Sequence, residues 1–270
     1  MELQVETPQG ERTAYAYTGG KPFDPRLPCV VFIHGALHDH SVWTLLARWF
    51  AHHGHAVLAI DQPGHGRSHG APLSSVEEVA AWALRFLSAA GVERAALVGH
   101  SMGSLVALEM AAREPQRATH LAMLATAYPM KVSDVLLNTA REAPLRAIDM
   151  VNSFSHSTLG PKPAYPGPGA WVPGGFRALM RRNLAGQSEV NLFSHDFTLC
   201  DSYANGLQAA ARVTCQATLI LGERDQMTMP RQTRDIAQAL NARVVNVPAG
   251  HDLMAEAPEE VLEALRHALT

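Results

Sequence analysis

The amino-acid sequence predicts an α/β protein whose central sheet is mostly parallel and carries helices on both faces. Short apolar runs without polar alternation, such as Cys29–Ile33, alternate with segments of helical apolar spacing, such as Ser41–His53. Buried strands joined by helices of about a dozen residues are typical of parallel sheets. The alternation stops near Tyr128 and resumes at Ala217, which indicates an insertion. A chain of 270 residues, 47% hydrophobic and 17% charged, can bury the core that this fold requires.

The predicted core elements follow one another in a regular order, beginning with a short antiparallel hairpin. After this hairpin at Leu3–Glu6 and Thr13–Tyr17, strands are predicted at Cys29–Ile33, Ala56–Ile60, Ala95–Val98, His120–Ala125, Ala217–Leu221 and Arg243–Val247. Helices are predicted at Ser41–His53, near Ser75–Ala89, near Met102–Arg113, at Arg231–Leu240 and at Pro258–Leu269.

The inserted interval has no convincing strand and is predicted to be a helical cap. Its helical stretches lie near Ser133–Arg141, Phe176–Leu184 and Glu189–Leu199. Between them, ten of the sixteen residues of Gly160–Gly175 are Gly or Pro, which predicts an irregular excursion. We therefore assign residues 1–127 and 213–270 to the core domain and residues 128–212 to the cap, or lid.

Charge and composition exclude several classes of partner. The chain has 22 basic and 25 acidic side chains, so it lacks the basic excess that binds nucleic acid or an anionic membrane. Its first residues do not resemble a signal peptide, and its apolar runs are far shorter than a spanning helix. Cys29, Cys200 and Cys215 form neither a disulfide framework nor a CxxC pair. We expect a cytoplasmic protein; the sequence does not indicate its oligomeric state.

The strongest local motif is Gly99-His100-Ser101-Met102-Gly103, a G-x-S-x-G sequence between a predicted strand and a predicted helix. A serine on such a sharp turn is held in a strained conformation, and small residues on either side relieve the crowding. The amides at the start of the following helix favour developing negative charge. Ser101 is therefore the predicted nucleophile.

A serine hydroxyl needs a base, and the base needs a carboxylate that orients it. His251 follows the last predicted strand, and Asp225 follows the strand before it, so the chain order is Ser, Asp, His. Glu223 and cap carboxylates remain alternatives to Asp225, whereas Asp252 is adjacent to the base and would have difficulty reaching its ring.

An oxyanion hole is predicted from two backbone amides. His34-Gly35-Ala36 directly follows the strand Cys29–Ile33, and Gly35 permits a close approach of the backbone. The amide of Ala36 and the amide of Met102 are the predicted donors. This chemistry requires no cofactor and no metal.

Five segments together resemble the α/β-hydrolase superfamily, in the branch with a helical cap after the sixth strand. They are HGALHDHSVW, LAIDQPGHGRS, LVGHSMGS, LILGERDQMTMP and PAGHDLMAEAP. The resemblance covers residues 12–127 and 213–270 and implies a serine hydrolase acting on a small-molecule ester or related acyl compound. It also allows carbon–carbon bond hydrolysis, lactone opening, acyl transfer and, outside catalysis, a small-molecule receptor. The cap, which sets substrate choice in this superfamily, shows no match.

The sequence contains 14 histidines, which could suggest a metal protein. His38-Asp39-His40 is an H-x-H pair, but two further ligands of the metal-dependent hydrolase motif are absent after it. We predict surface or pocket-lining roles for these side chains, a packing role for His100 and an orienting role for His34. Arg177 and Arg181 share one face of a predicted cap helix; a solvated face is favoured over substrate binding there.

Overall fold

A computed structural model describes residues 1–158, 171–186 and 189–269. Its centre is an eight-stranded sheet in the order β1-β2-β4-β3-β5-β6-β7-β8. The strands are β1 (Glu2–Thr7), β2 (Gly10–Tyr17), β3 (Cys29–Ile33), β4 (Ala56–Ile60), β5 (Ala95–His100), β6 (Ala118–Leu124), β7 (Gln216–Gly222) and β8 (Arg243–Val247).

The sheet is antiparallel at one edge and parallel elsewhere. β1 pairs with β2, and β2 with β4, in antiparallel register, while all pairs from β4 to β8 are parallel. Every residue of β3, β4 and β5 is buried, as their continuous apolar sequences predict. The carboxyl ends of these strands therefore meet at one edge, where ligands bind in folds of this kind.

Helices cover both faces of the sheet and fill the insertion. They are α1 (Thr44–His52), α2 (Val76–Ala89), α3 (Met102–Arg113), α4 (Asp134–Glu142), α5 (Pro144–Ser155), α6 (Val172–Gly186), α7 (Leu192–Ser202), α8 (Gly206–Ala210), α9 (Arg234–Ala239), α10 (Leu253–Glu256) and α11 (Pro258–Ala268). One apolar cluster joins α2, α3 and the cap, and a second lies with α1 and α11 on the opposite face. α3 is buried from Met102 to Ala112, which makes it the central helix of the molecule.

The insertion is more helical than its sequence predicts. α5 and α8 were not predicted, and α6 begins at Val172, inside the stretch expected to be irregular. Pro144 explains the unpredicted α5 and Pro173 the early start of α6, because each stands in the first turn of its helix, where a missing N–H costs nothing. α8 contains no proline and has only five residues. The rest of the predicted excursion, residues 160–170, lies outside the described residues.

The predicted boundary between core and cap stays a prediction, although α4 to α8 all lie between β6 and β7. Within the described parts of the chain, no helix has both the length and the apolar character needed to cross a bilayer.

Candidate active site

Ser101 occupies the turn between β5 and α3 in a conformation that side chains rarely adopt. Its φ is 52° and its ψ is −121°. A Cβ at Gly99 would meet the carbonyl oxygen of Gly103, and a Cβ at Gly103 would meet the carbonyl oxygens of Ile33 and His34. Only glycine fits at these two positions, so the G-x-S-x-G pattern is a packing requirement of the turn that holds the strained serine.

The structure brings Asp225 and His251 into contact. The Nδ1 atom of His251 lies 2.8 Å from Oδ2 of Asp225. The other carboxylate oxygen accepts hydrogen bonds from the amides of Met227 and Thr228, each 2.8 Å long. The Thr228 hydroxyl lies 2.7 Å from Oδ2. This threonine was missed by sequence reasoning; its position three residues after Asp225 was the only signal.

The Asp225 carboxyl is buried and stays ionised. Burial acts to raise its pKa, but the charge of His251 and the hydrogen bonds from His251 and Thr228 outweigh burial, so the pKa lies below its ordinary value. The two competing carboxylates lie elsewhere. Glu223 is exposed, and Asp252 has its Oδ2 atom 3.5 Å from Nε2 of His156.

The loop that carries His251 is held by the cap and by β5. The His251 amide donates a 2.7 Å hydrogen bond to the carbonyl of Ser155 at the end of α5. The His251 carbonyl lies 2.9 Å from Nε2 of His100, so His100 positions this loop in addition to packing.

Ser101 and His251 line the same cavity. In the portion of the chain described, the hydroxyl of Ser101 makes no hydrogen bond to the His251 ring. Nucleophile–base contacts are often long until a substrate binds.

The two predicted oxyanion donors lie at the ends of β3 and β5. Among the residues with described positions, neither the Ala36 amide nor the Met102 amide donates a hydrogen bond to another protein group. Gly35, the residue before Ala36, packs closely against the serine: a Cβ added at Gly35 would lie 3.2 Å from the Cβ of Ser101. Both amides are therefore available to an acceptor.

His34 orients this loop, as its sequence position predicts. Its Nδ1 atom lies 2.9 Å from the carbonyl of Gly35, and its Nε2 atom accepts a hydrogen bond from the amide of Gln62. Burial, with the charge of His65, lowers the pKa of His34 to about 4, so the ring is neutral and both nitrogens are satisfied.

A carboxylate of α7 holds the loop that follows β3. Oδ2 of Asp196, in α7, accepts a 2.7 Å hydrogen bond from the amide of Leu37, the residue after Ala36. The same oxygen lies 2.8 Å from Nε2 of His65, in the loop after β4. Asp196 is fully buried. No local signal marks its role, because Leu37 and His65 are both more than a hundred residues away in the sequence.

The cavity over Ser101 has a volume of about 330 Å³, within the usual range for small-molecule sites. Cap residues supply most of its apolar wall. Among these are Met130, Met150, Phe154, Phe176, Met180 and Phe197.

A family model described as the alpha/beta hydrolase fold matches residues 28–258. The chain belongs to the α/β-hydrolase family. This match and the architecture of the sheet confirm both the predicted resemblance and the predicted fold class.

Relatives with sequence similarity align with part of this α/β hydrolase. It is 35% identical over 116 residues to the dihydrolipoyllysine-residue acetyltransferase component of the acetoin cleaving system of Cupriavidus necator, covering 43% of this chain and 29% of that protein. It is 30% identical over 118 residues to (E)-2-((N-methylformamido)methylene)succinate hydrolase of Acinetobacter baylyi, covering 43% of both proteins. The chain thus spans less than half the length of these relatives.

Solved structures match almost the whole α/β hydrolase. The enol-lactonase of Burkholderia xenovorans superposes with a TM-score of 0.81 at 21% identity, covering 98% of this chain and 99% of that chain. An esterase of Exiguobacterium antarcticum has a TM-score of 0.81 at 14% identity, covering 100% and 99%. Identities this low establish the shared fold.

Two of the three arginines of α6 pair with carboxylates outside the cavity. Arg177 lies 2.6 Å from Asp149, within the cap. Arg182 lies 2.6 Å from Asp39, and so links the cap to the core. Arg181, which shares the predicted solvated face with Arg177, is exposed. The contact between the two parts of the chain is made by Arg182, which does not belong to that predicted face.

Asp39, His40 and Asp61 form a cluster whose candidate ligand atoms lie within 4.8 Å of one another. Protein donors already contact both carboxylates: Asp61 accepts from the amides of His40 and Arg67, and Asp39 from Arg182. The cluster is explained by these contacts; the expectation that the protein uses no metal stays a prediction.

Proposed function

We propose that this α/β hydrolase is a serine hydrolase that cleaves a carboxylic ester or related acyl compound through an acyl-enzyme. The observation that carries the proposal is the buried Asp225–His251 pair, 2.8 Å apart, beside the cavity that also exposes the strained Ser101. In this proposal Ser101, His251 and Asp225 form the catalytic triad, and the amides of Ala36 and Met102 form the oxyanion hole.

The proposed reaction has two halves. Nε2 of His251 takes the proton of Ser101 while Oγ attacks the acyl carbon, and the carbonyl electron pair moves to oxygen, where the two amides bind it. The intermediate collapses as the bond to the alcohol breaks and His251 protonates the leaving oxygen. Water then gives a proton to His251 and attacks the acyl-enzyme, the acid leaves, and Ser101 recovers its proton.

Asp225 serves this cycle by remaining charged. Because its pKa lies below the ordinary carboxyl value, it stays ionised while His251 gains and loses a proton. Its contact with Nδ1 leaves Nε2 for proton transfer.

Active-site labelling tests the proposal. A fluorophosphonate should label the parent protein at Ser101, and p-nitrophenyl esters should be hydrolysed. Ser101→Ala should lose the label, and Ser101→Ala and His251→Ala should each lower kcat by a factor on the order of 10⁴ or more. A folded parent that reacts no faster than Ser101→Ala would contradict the proposal.

Additional substrates in the same assay separate the alternative activities. Adding an alcohol or thiol that competes with water for the acyl-enzyme would indicate an acyltransferase. Including a lactone in the panel tests ring opening, and a dienoic diketo acid tests carbon–carbon cleavage. Binding of a small molecule that persists in both variants, without turnover by the parent, would indicate a receptor.

We further propose that the protein is cytoplasmic and acts on a small molecule, without nucleic acid or membrane partners. The charge balance of 22 basic against 25 acidic side chains supports the absence of nucleic-acid and membrane partners.

A further inference from the structure

The cavity over Ser101 has a wall that is rich in methionine. Five of the ten methionines of the chain line it, whereas Leu136 is the only one of the 30 leucines to do so among the described residues. Ten methionines spread evenly over 270 residues would place about one among the 22 described lining positions. The five side chains, which we call the methionine wall, are Met130, Met150, Met180, Met227 and Met229. This enrichment calls for an explanation in terms of what the cavity binds.

The methionine wall is assembled from four separate parts of the chain. Met150 lies in α5 and Met180 in α6, Met130 follows β6, and the other two follow β7. A single methionine-rich segment therefore does not explain the enrichment. The side chains meet only where the helices of the insertion pack over the end of the sheet.

Three of these side chains have room to change conformation, and the backbone of two of them is held in place. Met150, Met227 and Met229 are half-buried. The amide of Met227 donates a 2.8 Å hydrogen bond to Oδ1 of Asp225, and the amide of Met229 donates one of 2.8 Å to Oε1 of Gln232. These bonds fix the loop beside the proposed acid, so a change of side-chain rotamer leaves Asp225 where it is.

Two aromatic side chains of the same cavity are held by ring contacts. Phe197 stacks on Phe193, with ring centroids 4.5 Å apart. Phe176 meets the ring of His38 edge-on at 4.9 Å and the ring of His156 edge-on at 5.1 Å. We therefore expect these rings to keep their positions when a substrate binds, while the methionine side chains adjust.

Methionine is the apolar residue best suited to a wall that adjusts. Its side chain is unbranched, has three rotatable bonds and carries a polarisable sulfur, so it fills irregular gaps. Leucine has well-defined rotamers and specifies one shape more closely. Forcing a group of the wrong shape against a rigid apolar wall costs on the order of tenfold to a hundredfold in affinity. A methionine wall lowers this cost for groups that differ in shape.

We propose that the methionine wall binds the acyl group of the substrate and gives the protein a broad specificity for aliphatic acyl groups of different shape. This inference rests on the proposed function, and it narrows the substrate class to esters of saturated aliphatic acids, both straight and branched. The acyl group is assigned to this wall because it stays bound to Ser101 through both halves of the proposed reaction, whereas the alcohol leaves after the first.

Esters with isomeric acyl groups test the inference. The panel consists of the p-nitrophenyl esters of hexanoic, 3-methylpentanoic, 4-methylpentanoic and 3,3-dimethylbutanoic acid, which differ only in branching. Each kcat/KM is divided by the rate constant for hydrolysis by hydroxide, which removes intrinsic reactivity. The parent should hydrolyse every ester of the panel, with normalised values that lie within about tenfold of one another.

Variants with leucine in the wall assign this breadth to the methionines. One variant combines Met150→Leu, Met227→Leu and Met229→Leu, the half-buried members, and a second replaces all five. Leucine has nearly the volume of methionine but fewer conformations, so the spread of the normalised values should widen at least about fivefold relative to the parent. The triple variant leaves the buried members unchanged and should fold like the parent, which thermal denaturation checks.

Two controls accompany these variants. Met110→Leu combined with Met123→Leu replaces two buried methionines outside the cavity and should leave the spread unchanged. Protein produced with norleucine in place of methionine keeps an unbranched, flexible side chain but lacks the sulfur. It should retain the breadth of the parent.

Four outcomes overturn the inference. A parent that is labelled at Ser101 and hydrolyses esters, but differs by more than about tenfold among the isomers, contradicts it while the proposed function stands. Folded leucine variants whose spread stays close to that of the parent also contradict it. A norleucine protein as selective as the leucine variants would assign the breadth to sulfur and overturn the argument from flexibility. A parent that neither reacts with fluorophosphonate nor hydrolyses any ester overturns the proposed function and this inference together.

Discussion

At the scale of single residues, the immediate neighbours of Ser101 and Asp225 fix the backbone conformation of the serine and the ionised state of the carboxylate. Ser101 adopts a positive φ because Gly99 and Gly103 allow backbone to pass close on both sides. Asp225 is ionised because four donors converge on it. We therefore expect substitutions at these positions to be harmful: one should lower stability, and the other should lower activity.

Gly103→Ala should destabilise the protein. Alanine is the better helix former by about 1 kcal/mol, yet its Cβ would meet two backbone carbonyl oxygens that cannot move independently of β3. We expect a net loss of about 3 kcal/mol in the free energy of unfolding, measured by urea denaturation. Gly175→Ala is the control: it lies in α6 with open space at its Cβ and should be neutral or stabilising. Equal stability of Gly103→Ala and the parent would contradict this account of the turn.

Thr228→Val should weaken catalysis without abolishing it. The substitution removes the hydroxyl that lies 2.7 Å from Oδ2 of Asp225 but leaves the two amide hydrogen bonds and His251 in place. We expect kcat/KM for a p-nitrophenyl ester to fall about tenfold, the value of one hydrogen bond to a charged group. Thr198→Val, on an exposed position of α7, should have no effect; a parent-like Thr228→Val would show that the hydroxyl is dispensable.

At the scale of elements, the cap holds both loops that carry the proposed chemistry. The end of α5 accepts the amide of His251 through Ser155, and α7 accepts the amide of Leu37 through Asp196. These two hydrogen bonds mean that the cap positions both loops of the proposed site and also covers the cavity. Because Asp196 also contacts the buried His65, we expect the strength of the contact between α7 and the core to depend on pH.

Asp196→Asn should lower both activity and stability. Burial acts to raise the pKa of Asp196, but the charge of His65 and the hydrogen bonds from His195 and His65 outweigh burial, so this pKa lies well below 3.8. Burial acts to lower the pKa of His65, but the charge and the hydrogen bond of Asp196 outweigh burial, so this pKa lies above 6.5. The contribution of the Asp196 carboxylate to folding stability is fully present above pH 3.8 and is lost as the pH falls further. The contribution of the His65 imidazolium is fully present below pH 6.5 and is lost as the pH rises through the raised pKa.

The loss of stability in Asp196→Asn should therefore be largest between pH 3.8 and 6.5, at about 3 kcal/mol, and shrink above that window. Urea denaturation across pH 4–9, with kcat/KM beside it, checks this. Asp149→Asn, which breaks the half-exposed pair with Arg177, is the control and should cost less than about 1 kcal/mol. A loss that does not vary with pH would mean that His65 is not charged in the folded protein.

At the scale of the whole molecule, the sheet and the cap enclose the cavity between them. The parallel strands bring Ala36, Ser101, Asp225 and His251 to one edge, and the cap closes about 330 Å³ of apolar space over them. The size of this space should limit the acyl group that is turned over.

Met150→Trp should shift the preference towards shorter acyl chains. The larger side chain fills part of the cavity wall, so among p-nitrophenyl esters of increasing length the optimum should move to a shorter chain. Turnover of the longest ester accepted by the parent should fall at least about tenfold. Val135→Trp, on an exposed position of α4, is the control. If the preferred chain length is unchanged in Met150→Trp, the acyl group does not bind beside Met150.

The sequence by itself determined the order and type of the core elements, because each buried strand and amphipathic helix carries its own apolar pattern. It also predicted Ser101, Asp225 and His251 as site residues, since each follows a recognisable strand; the structure places Asp225 in contact with His251, and Ser101 and His251 in the wall of one cavity. The helices of the cap were predicted less well. The proline that opens α5 resembles a loop signal, and the five residues of α8 are too few to show a helical apolar period.

Only the tertiary structure decided which distant side chains serve the site. The contact of Asp196 with Leu37 joins positions 159 residues apart, and the methionines of the cavity wall come from separate parts of the chain. Neither leaves a local pattern, because a contact across the fold depends on where the elements pack and imposes no spacing on any one segment. The order of residues specifies the elements and the residue types at their ends, whereas the packing of the cap on the sheet decides which further side chains line the cavity.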